Sequence, residues 1–242
     1  MDGPDERCEF HSRRTTQISS IFMEFPHAYH RPGRSLAMSI LDAQDADTWR
    51  SGVSFSMRNR IYRLCWGVAW RLLISWTPPQ LHAWRRFVLR AFGAKISATA
   101  RVYGSARIWS PANLEVGAHA CIGPNSNVYS MAKITLGDFA LVSQGAFLCA
   151  GSHDIDDPFF QLTSAPITID EKAWVAAEAF VGPGVNIQQG AVLGARACAF
   201  RDLMPWRVYV GNPAVMVKER RVRPAVDEGG ASISGSSSAN SH

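Results

Sequence analysis

One short stretch of this chain gathers the side chains best suited to proton transfer and nucleophilic attack. It is Leu148-Cys149-Ala150-Gly151-Ser152-His153-Asp154. An imidazole has an unperturbed pKa near neutrality, so His153 can take a proton from a hydroxyl as a bond forms to its oxygen. Asp154 can orient that ring, but adjacent side chains on an extended segment point apart, and a backbone carbonyl is an equal candidate. Cys149 and Ser152 are the candidates for a covalent route, and neither has an evident activating partner besides His153.

What positions this stretch is a repeat. From Ile96 an aliphatic residue returns every six positions: Ile96, Val102, Ile108, Leu114, then after a two-residue step Val116, Ile122, Val128, Ile134. A second two-residue step leads to Leu136, Val142 and Leu148, and the series resumes with Ile169, Val175, Val181, Ile187 and Leu193. The fifth place of each hexad is small, from Ala100 and Ala106 through Ser126 to Ala191 and Ala197, with Val185 the largest. Helices repeat at 3.6 and strands at 2, so neither alone gives this period. A coil of three short strands joined by tight corners does, with aliphatic side chains stacked inside a prism. Gly117, Gly123, Gly137, Gly182 and Gly194 follow aliphatic positions and are expected to ease the turning backbone. The break between Leu148 and Ile169 carries the Gly-Ser-His-Asp stretch, and a loop leaving a rigid frame is where a functional residue is mounted.

The remaining chain frames this domain, drawn over residues 94–224. Residues 1–52 read as a poorly ordered extension, and Met38 or Met57 are alternative starts for a shorter protein. Residues 53–93 read as helical. Arg58 to Trp76 mixes apolar residues with arginines as an amphipathic helix, Thr77-Pro78-Pro79 ends it, and Gln80 to Phe92 forms a second helix stopped by Gly93. The first helix either packs on the first coil or lies in a membrane interface. Residues 225–242 are Gly/Ser-rich and read as disordered. The 242 residues are 47% hydrophobic with a net charge of +5, which mildly favours anionic partners, and no basic run suggests nucleic-acid binding. Five scattered cysteines suggest free thiols in a reducing cytoplasm, and neither a signal peptide nor a transmembrane stretch is read.

The hexads resemble the hexapeptide-repeat acyltransferases, whose [LIV]-[GAED]-X-X-[STAV]-X units build a left-handed parallel β-helix. Within that superfamily, residues 58–223 resemble the colanic acid biosynthesis type of O-acetyltransferase. The matching segments include LHAWRRFVLRAFGAKI (81–96), SQGAFLCAGSHDIDDPFF (143–160), PITIDEKAWVAAEAFVGPGV (166–185) and VYVGNPAVMVK (208–218). The resemblance, and not the spacing, implies the left hand.

It further implies acetyl-CoA as donor, a sugar hydroxyl of an exopolysaccharide or its lipid-linked precursor as acceptor, direct transfer with His153 as base, and a homotrimer. No metal is expected. Ser130 stands where relatives often carry an Asn near the acceptor. Trp174 and Ala177 match positions flanking the thioester and pantetheine, although Trp174 also suits plain wall packing. Small residues at Ala177 and Ala195 would let the pantetheine arm approach the backbone. Arg201 lies in Phe-Arg-Asp where relatives have Thr-Lys-Asp, and can meet a CoA phosphate. Gly211 and Lys218 match the end of the helix where the adenine and 3′-phosphate lie, and Lys218 equally reads as part of a solvated charge run.

Two other classes share the fold: a non-catalytic scaffold, and the γ-type carbonic anhydrases. The latter need three histidines, and the repeat region holds only His119 and His153.

Overall fold

A computed structural model of the protein describes residues 54–222. The expectations for residues 1–52 and 225–242 lie outside the described residues. The sequence period builds a parallel β-helix. Its first coil holds β1 (Lys95–Ile96), β2 (Arg101–Val102) and β3 (Arg107–Ile108). The second holds β4 (Leu114–Val116), β5 (Cys121–Ile122) and β6 (Asn127–Tyr129), and the third β7 (Ile134–Leu136), β8 (Leu141–Val142) and β9 (Phe147–Cys149). A hairpin of β10 (Gly151–His153) and β11 (Leu162–Ser164) then leaves the column. The fourth coil holds β12 (Ile167–Ile169), β13 (Trp174–Val175) and β14 (Phe180–Val181), and the fifth β15 (Asn186–Ile187), β16 (Val192–Leu193) and β17 (Cys198–Ala199). The end is β18 (Arg207–Val210) with β19 (Val215–Glu219) turned antiparallel against it.

Corresponding strands form three sheets. Sheet one is β1-β4-β7-β12-β15, sheet two is β2-β5-β8-β13-β16-β18-β19, and sheet three is β3-β6-β9-β14-β17. In sheet two the register aligns Val102, Ile122, Val142, Val175, Leu193 and Tyr209 in one inward stack. All are buried, and each aliphatic member contributes about 1.5–3 kcal/mol. The two-residue steps in the sequence mark sheet one, whose strands β4, β7 and β12 carry two inward side chains each: Leu114 and Val116, Ile134 and Leu136, Ile167 and Ile169. Ile167 belongs to this pattern, although the hexad count resumes only at Ile169.

The corners correct two expectations. Many tight turns are made by non-glycine residues in the left-handed region, among them His119, Asn125, Phe139, Lys172, Glu178 and Arg196. The five glycines after aliphatic positions have no such backbone. Several are small because the next coil lies against them. A Cβ on Gly123 would stand 2.8 Å from the Val142 carbonyl oxygen, and one on Gly137 would stand 2.7 Å from the Glu171 nitrogen. At the corner from sheet three to sheet one the small-residue slot also shifts. Ala112 and Ala132 are only half-buried and Ser152 is exposed, while Ser110, Ser130 and Ala150 fill the interior there.

Among the described residues two helices precede the column, α1 (Met57–Leu73) and α2 (His82–Ala91). Ser56 caps α1 by accepting from the Asn59 N–H at 3.3 Å, and Gly93 ends α2 with φ 93°. Their side chains meet a backbone need of the first coil. Around its strands each coil donates N–H groups to carbonyls of the coil that follows, as Ser97 does to Val116 and Trp109 to Val128. No preceding coil donates to the carbonyls of the first one, and unpaired buried carbonyls are costly. Side chains from the helices supply those donors. Arg90 donates to Ile96 (2.9 Å), Arg86 to Ala100 (2.8 Å), Arg85 and His82 to Val102 (3.0 and 2.9 Å), and Trp66 to Ile108 (2.7 Å). The inner face of α1 therefore packs on the first coil, through Tyr62, Trp66 and Trp70.

Because its missing Cβ is blocked by backbone and not by a movable side chain, Gly137→Ala is expected to destabilise the protein by about 1–3 kcal/mol. Denaturant unfolding would measure this, and an unchanged midpoint would contradict the close-approach explanation.

Candidate active site

The hairpin begins where sheet three ends. The buried Ala150 donates to the Tyr129 carbonyl at 3.1 Å and accepts from Ala165 at 3.1 Å, which pins both ends of the excursion to the column. Gly151 lies so close to Tyr129 and Met131 that a Cβ there would overlap the methionine sulfur. The strands pair Gly151 with Ser164, Ser152 with Thr163 and His153 with Leu162. Two aspartates shape the tip: Asp154 Oδ1 accepts from Asp156 N–H at 3.0 Å, and Asp157 Oδ1 accepts from Phe159 N–H at 2.7 Å.

His153 is fixed on two sides. Its Nδ1 lies 2.9 Å from the Phe160 carbonyl oxygen, and its ring stacks on the Phe160 ring with centroids 4.4 Å apart and planes 8° apart. A carbonyl only accepts, so in the neutral ring Nδ1 carries the proton and Nε2 keeps its lone pair. The orienting group is thus a backbone carbonyl, the alternative to Asp154 that the sequence left open. The Asp154 carboxylate helps to close the hairpin's own turn. Phe160 was not singled out in the sequence, and no local pattern marks it.

Cys149 is half-buried and its thiol donates to the Gly151 carbonyl at 3.2 Å. Burial pushes its pKa up, so it stays a thiol at neutral pH and is a poor nucleophile. Ser130 needs a correction. It is fully buried, its hydroxyl donates to the Ser110 carbonyl at 2.8 Å and accepts from the Ser110 N–H at 3.0 Å. That hydroxyl satisfies a corner of the column and does not face an acceptor.

The positions assigned to the donor fall on a different part of the prism. The register of sheet two sets Ala177, Ala195 and Gly211 in line along the corner between sheets two and three, and Arg196 N–H donates to the Ala177 carbonyl at 2.9 Å. Trp174 lies on sheet two itself, about 40% exposed, and its indole N–H donates to Ser143 Oγ at 2.8 Å. Ser143 is two residues beyond Trp174's strand partner Leu141, so the indole leans toward that same corner. With Phe139, Leu141, Lys172 and Arg220 it borders a shallow groove of about 280 Å³. Lys218 is exposed on β19, paired with Val208 at the end of sheet two. Arg201 is exposed beyond β17, at the corner from sheet three to sheet one, the corner that also carries the His153 hairpin.

One chain therefore brings Trp174, Ala177, Ala195, Gly211 and Lys218 to one side and His153, Asp154 and Arg201 to another. Sheet three separates them, roughly 15–20 Å of extended backbone. An aromatic ladder runs along the outside of that sheet: Trp109, Tyr129, Phe147, Phe180 and Phe200, with neighbouring centroids 5.5–6.5 Å apart. Its signal in the sequence was the residue next to each inward aliphatic, once the three sides are aligned separately. Among the described residues no three His, Cys, Asp or Glu side chains gather as a metal-holding group. His119 stacks on Phe139 at a separate corner.

Known structures share this architecture. A maltose O-acetyltransferase from Clostridium difficile 630 superposes with a TM-score of 0.61 at 21% identity, covering 74% of this chain and all of that one. The hexapeptide-repeat acetyltransferase VCA0836 from Vibrio cholerae, solved with acetyl coenzyme A, gives 0.63 at 20% identity, covering 76% and 100%. The column is thus the left-handed β-helix of the hexapeptide-repeat proteins. No family model matches the chain. In sequence, it is 38% identical over 177 residues to WcaF of Escherichia coli K12, named as a colanic acid biosynthesis acetyltransferase, across 73% of this chain and 97% of WcaF. The chain belongs to the hexapeptide-repeat acetyltransferases of this colanic acid biosynthesis type, and it is an acyltransferase.

The carbonyl bond at Nδ1 has a spectroscopic consequence. In 15N spectra of the labelled protein, neutral His153 is expected as the Nδ1–H tautomer, and a dominant Nε2–H form would remove the lone pair required of a base.

Proposed function

We propose that the chain transfers an acetyl group from acetyl-CoA to a hydroxyl of an exopolysaccharide sugar or its lipid-linked precursor, with His153 as general base. The observation that carries this reading is the His153 ring held by the Phe160 carbonyl at 2.9 Å, with Nε2 as its basic atom, on a hairpin projecting from the column. The acceptor hydroxyl gives its proton to Nε2 as its oxygen attacks the thioester carbon. The C–O bond forms, the C–S bond breaks, and the departing CoA sulfur takes the proton back from the imidazolium. Direct transfer is favoured over an acyl-enzyme because the Cys149 thiol is held protonated. We place Asp154, next to His153 in sequence, as a contact to the acceptor.

The donor reading follows from the acetyl coenzyme A present in the V. cholerae neighbour and from the file of small residues here. Ala177, Ala195 and Gly211 leave room for a pantetheine arm along one corner, beside the Trp174 indole. Lys218 and Arg201 supply cations for the CoA phosphates. Because base and donor corners lie on opposite margins of sheet three, a working site takes one margin from each of two copies, which fits a homotrimer. Free thiols at Cys65, Cys121, Cys149 and Cys198 fit a cytoplasmic place for it.

His153→Ala is expected to lower kcat/KM by about 10²–10⁴-fold in an assay of CoA release with a saccharide acceptor, with KM for acetyl-CoA nearly unchanged. Undiminished turnover would remove His153 as base, and a wild-type protein inert with saccharide acceptors would remove the sugar acceptor.

The two-copy site is tested by mixing. Ala195→Trp fills the donor corner and His153→Ala lacks the base, so each is expected to be inactive alone. Refolded together, they are expected to regain activity. Mixtures as inactive as the parents would place the whole site within one chain.

A further inference from the structure

The outer face of α1 is not used by the column or by the acyl-transfer site. Met57, Ile61, Leu64, Val68 and Leu72 recur at helical spacing and fall within an arc of about 100° at 3.6 residues per turn. They point away from the face that carries Tyr62, Trp66 and Trp70. Leu64 is 68% exposed, Leu72 66%, and Trp76 just beyond the helix 70%. Scattered exposed apolar residues are ordinary, but a continuous stripe is a sign of a partner. Trp84 and Phe87 extend it onto α2, where their rings stack with centroids 5.7 Å apart, and Trp84 donates to the Leu73 carbonyl at 2.7 Å.

Charge says which partner. Between Ser54 and Leu114 the chain has nine arginines and Lys95 and no Asp or Glu, so all 20 acidic residues lie elsewhere. The arginines that cap the first coil bond neutral carbonyls, which leaves their charge uncompensated. Arg58 flanks the apolar stripe on one side, and Arg60 and Arg71 flank it on the other. Beside the stripe, between α1 and the first coil, lies a groove of about 510 Å³ bordered by Arg60, Arg63, Leu64, Trp70, Arg107 and Trp109. Arg63 is set over the Trp109 ring at 4.7 Å from its centroid. Leu64 belongs to both groove and stripe, so an apolar and a cationic surface meet there. A second copy of this chain would bring the same arginines against themselves. A bilayer with anionic headgroups satisfies both halves at once. Among the described residues no helix is long and apolar enough to cross a membrane, so the helix would lie along the surface.

We propose that the outer face of α1 docks the protein on an anionic phospholipid surface, with its apolar stripe among the acyl chains and a headgroup phosphate held by Arg60, Arg63 and Arg107. This stands independently of the acyl-transfer reading, since it uses none of the residues assigned to that site.

The test is flotation of the full chain with vesicles of phosphatidylglycerol and phosphatidylcholine, against phosphatidylcholine alone. Wild type is expected to float with the anionic vesicles only, and to be released by high salt. Leu64→Asp with Val68→Asp, both pointing into solvent, is expected to weaken binding at least about tenfold, with the thermal midpoint unchanged. Arg60→Gln with Arg107→Gln provides a second variant that leaves the stripe intact, and it is expected to lose the preference for phosphatidylglycerol. Absence of wild-type flotation, equal flotation with neutral vesicles, or undiminished binding by both variants would overturn the proposal. So would a Leu64→Asp/Val68→Asp variant that fails to float only because it has dissociated in light scattering, which would assign the stripe to a second copy.

Discussion

Each coil of this protein must return the chain to the same phase, because its backbone N–H and carbonyl groups are paired with those of the coils before and after it. That requirement governs the rest. It sets the six-residue side, places one aliphatic side chain inward per side, and limits the corners to residues that fit against neighbouring backbone. Even the hairpin obeys it. Although the chain leaves the column for the 17 residues 150–166 after β9, it returns so that Ile167 meets Ile134 and Ile169 meets Leu136, and sheet one continues without slippage. The excursion is anchored at both ends to Ala150, so the frame is held up to the point where the His153 hairpin leaves it.

The same constraint explains why the candidate donor and base residues stand apart. Six residues per side suffice to build a wall but not a deep pocket, and the residues suited to the donor and to proton transfer stand at successive corners. Only an excursion such as β10–β11 carries a functional group beyond the wall. What the column contributes to chemistry is stiffness: the imidazole is fixed by a carbonyl and a ring from its own hairpin, with no charged partner needed to set its tautomer.

Much of this was legible beforehand. The inward stack from Ile96 to Leu193 could be counted, and the break at Leu148 marked where the hairpin leaves the column. The two helices lay where the prolines and Gly93 put them, with ends displaced by a residue or a few. The sequence fell short where side chains serve the backbone. Ser130 looked like a polar residue beside an acceptor, but a corner carbonyl and N–H of the neighbouring coil claim its hydroxyl. The glycines after aliphatic positions looked like turn residues, whereas the next coil leaves no room for a Cβ. Phe160 acts through its carbonyl, which every residue possesses, so no side-chain pattern announces it. The left hand of the coil came from likeness to known proteins, since a period of six fits either hand.

The arginines and Trp66 that cover the carbonyls of the first coil also decide how long the column can be. A parallel stack with an open rim is a template on which another chain can add strands, and repetition of that step produces fibres. Here one rim is occupied by guanidinium and indole donors that no incoming strand can easily displace, and at the opposite rim sheet two is turned back by the antiparallel β19. The protein has thereby terminated a structure whose own geometry contains no instruction to stop.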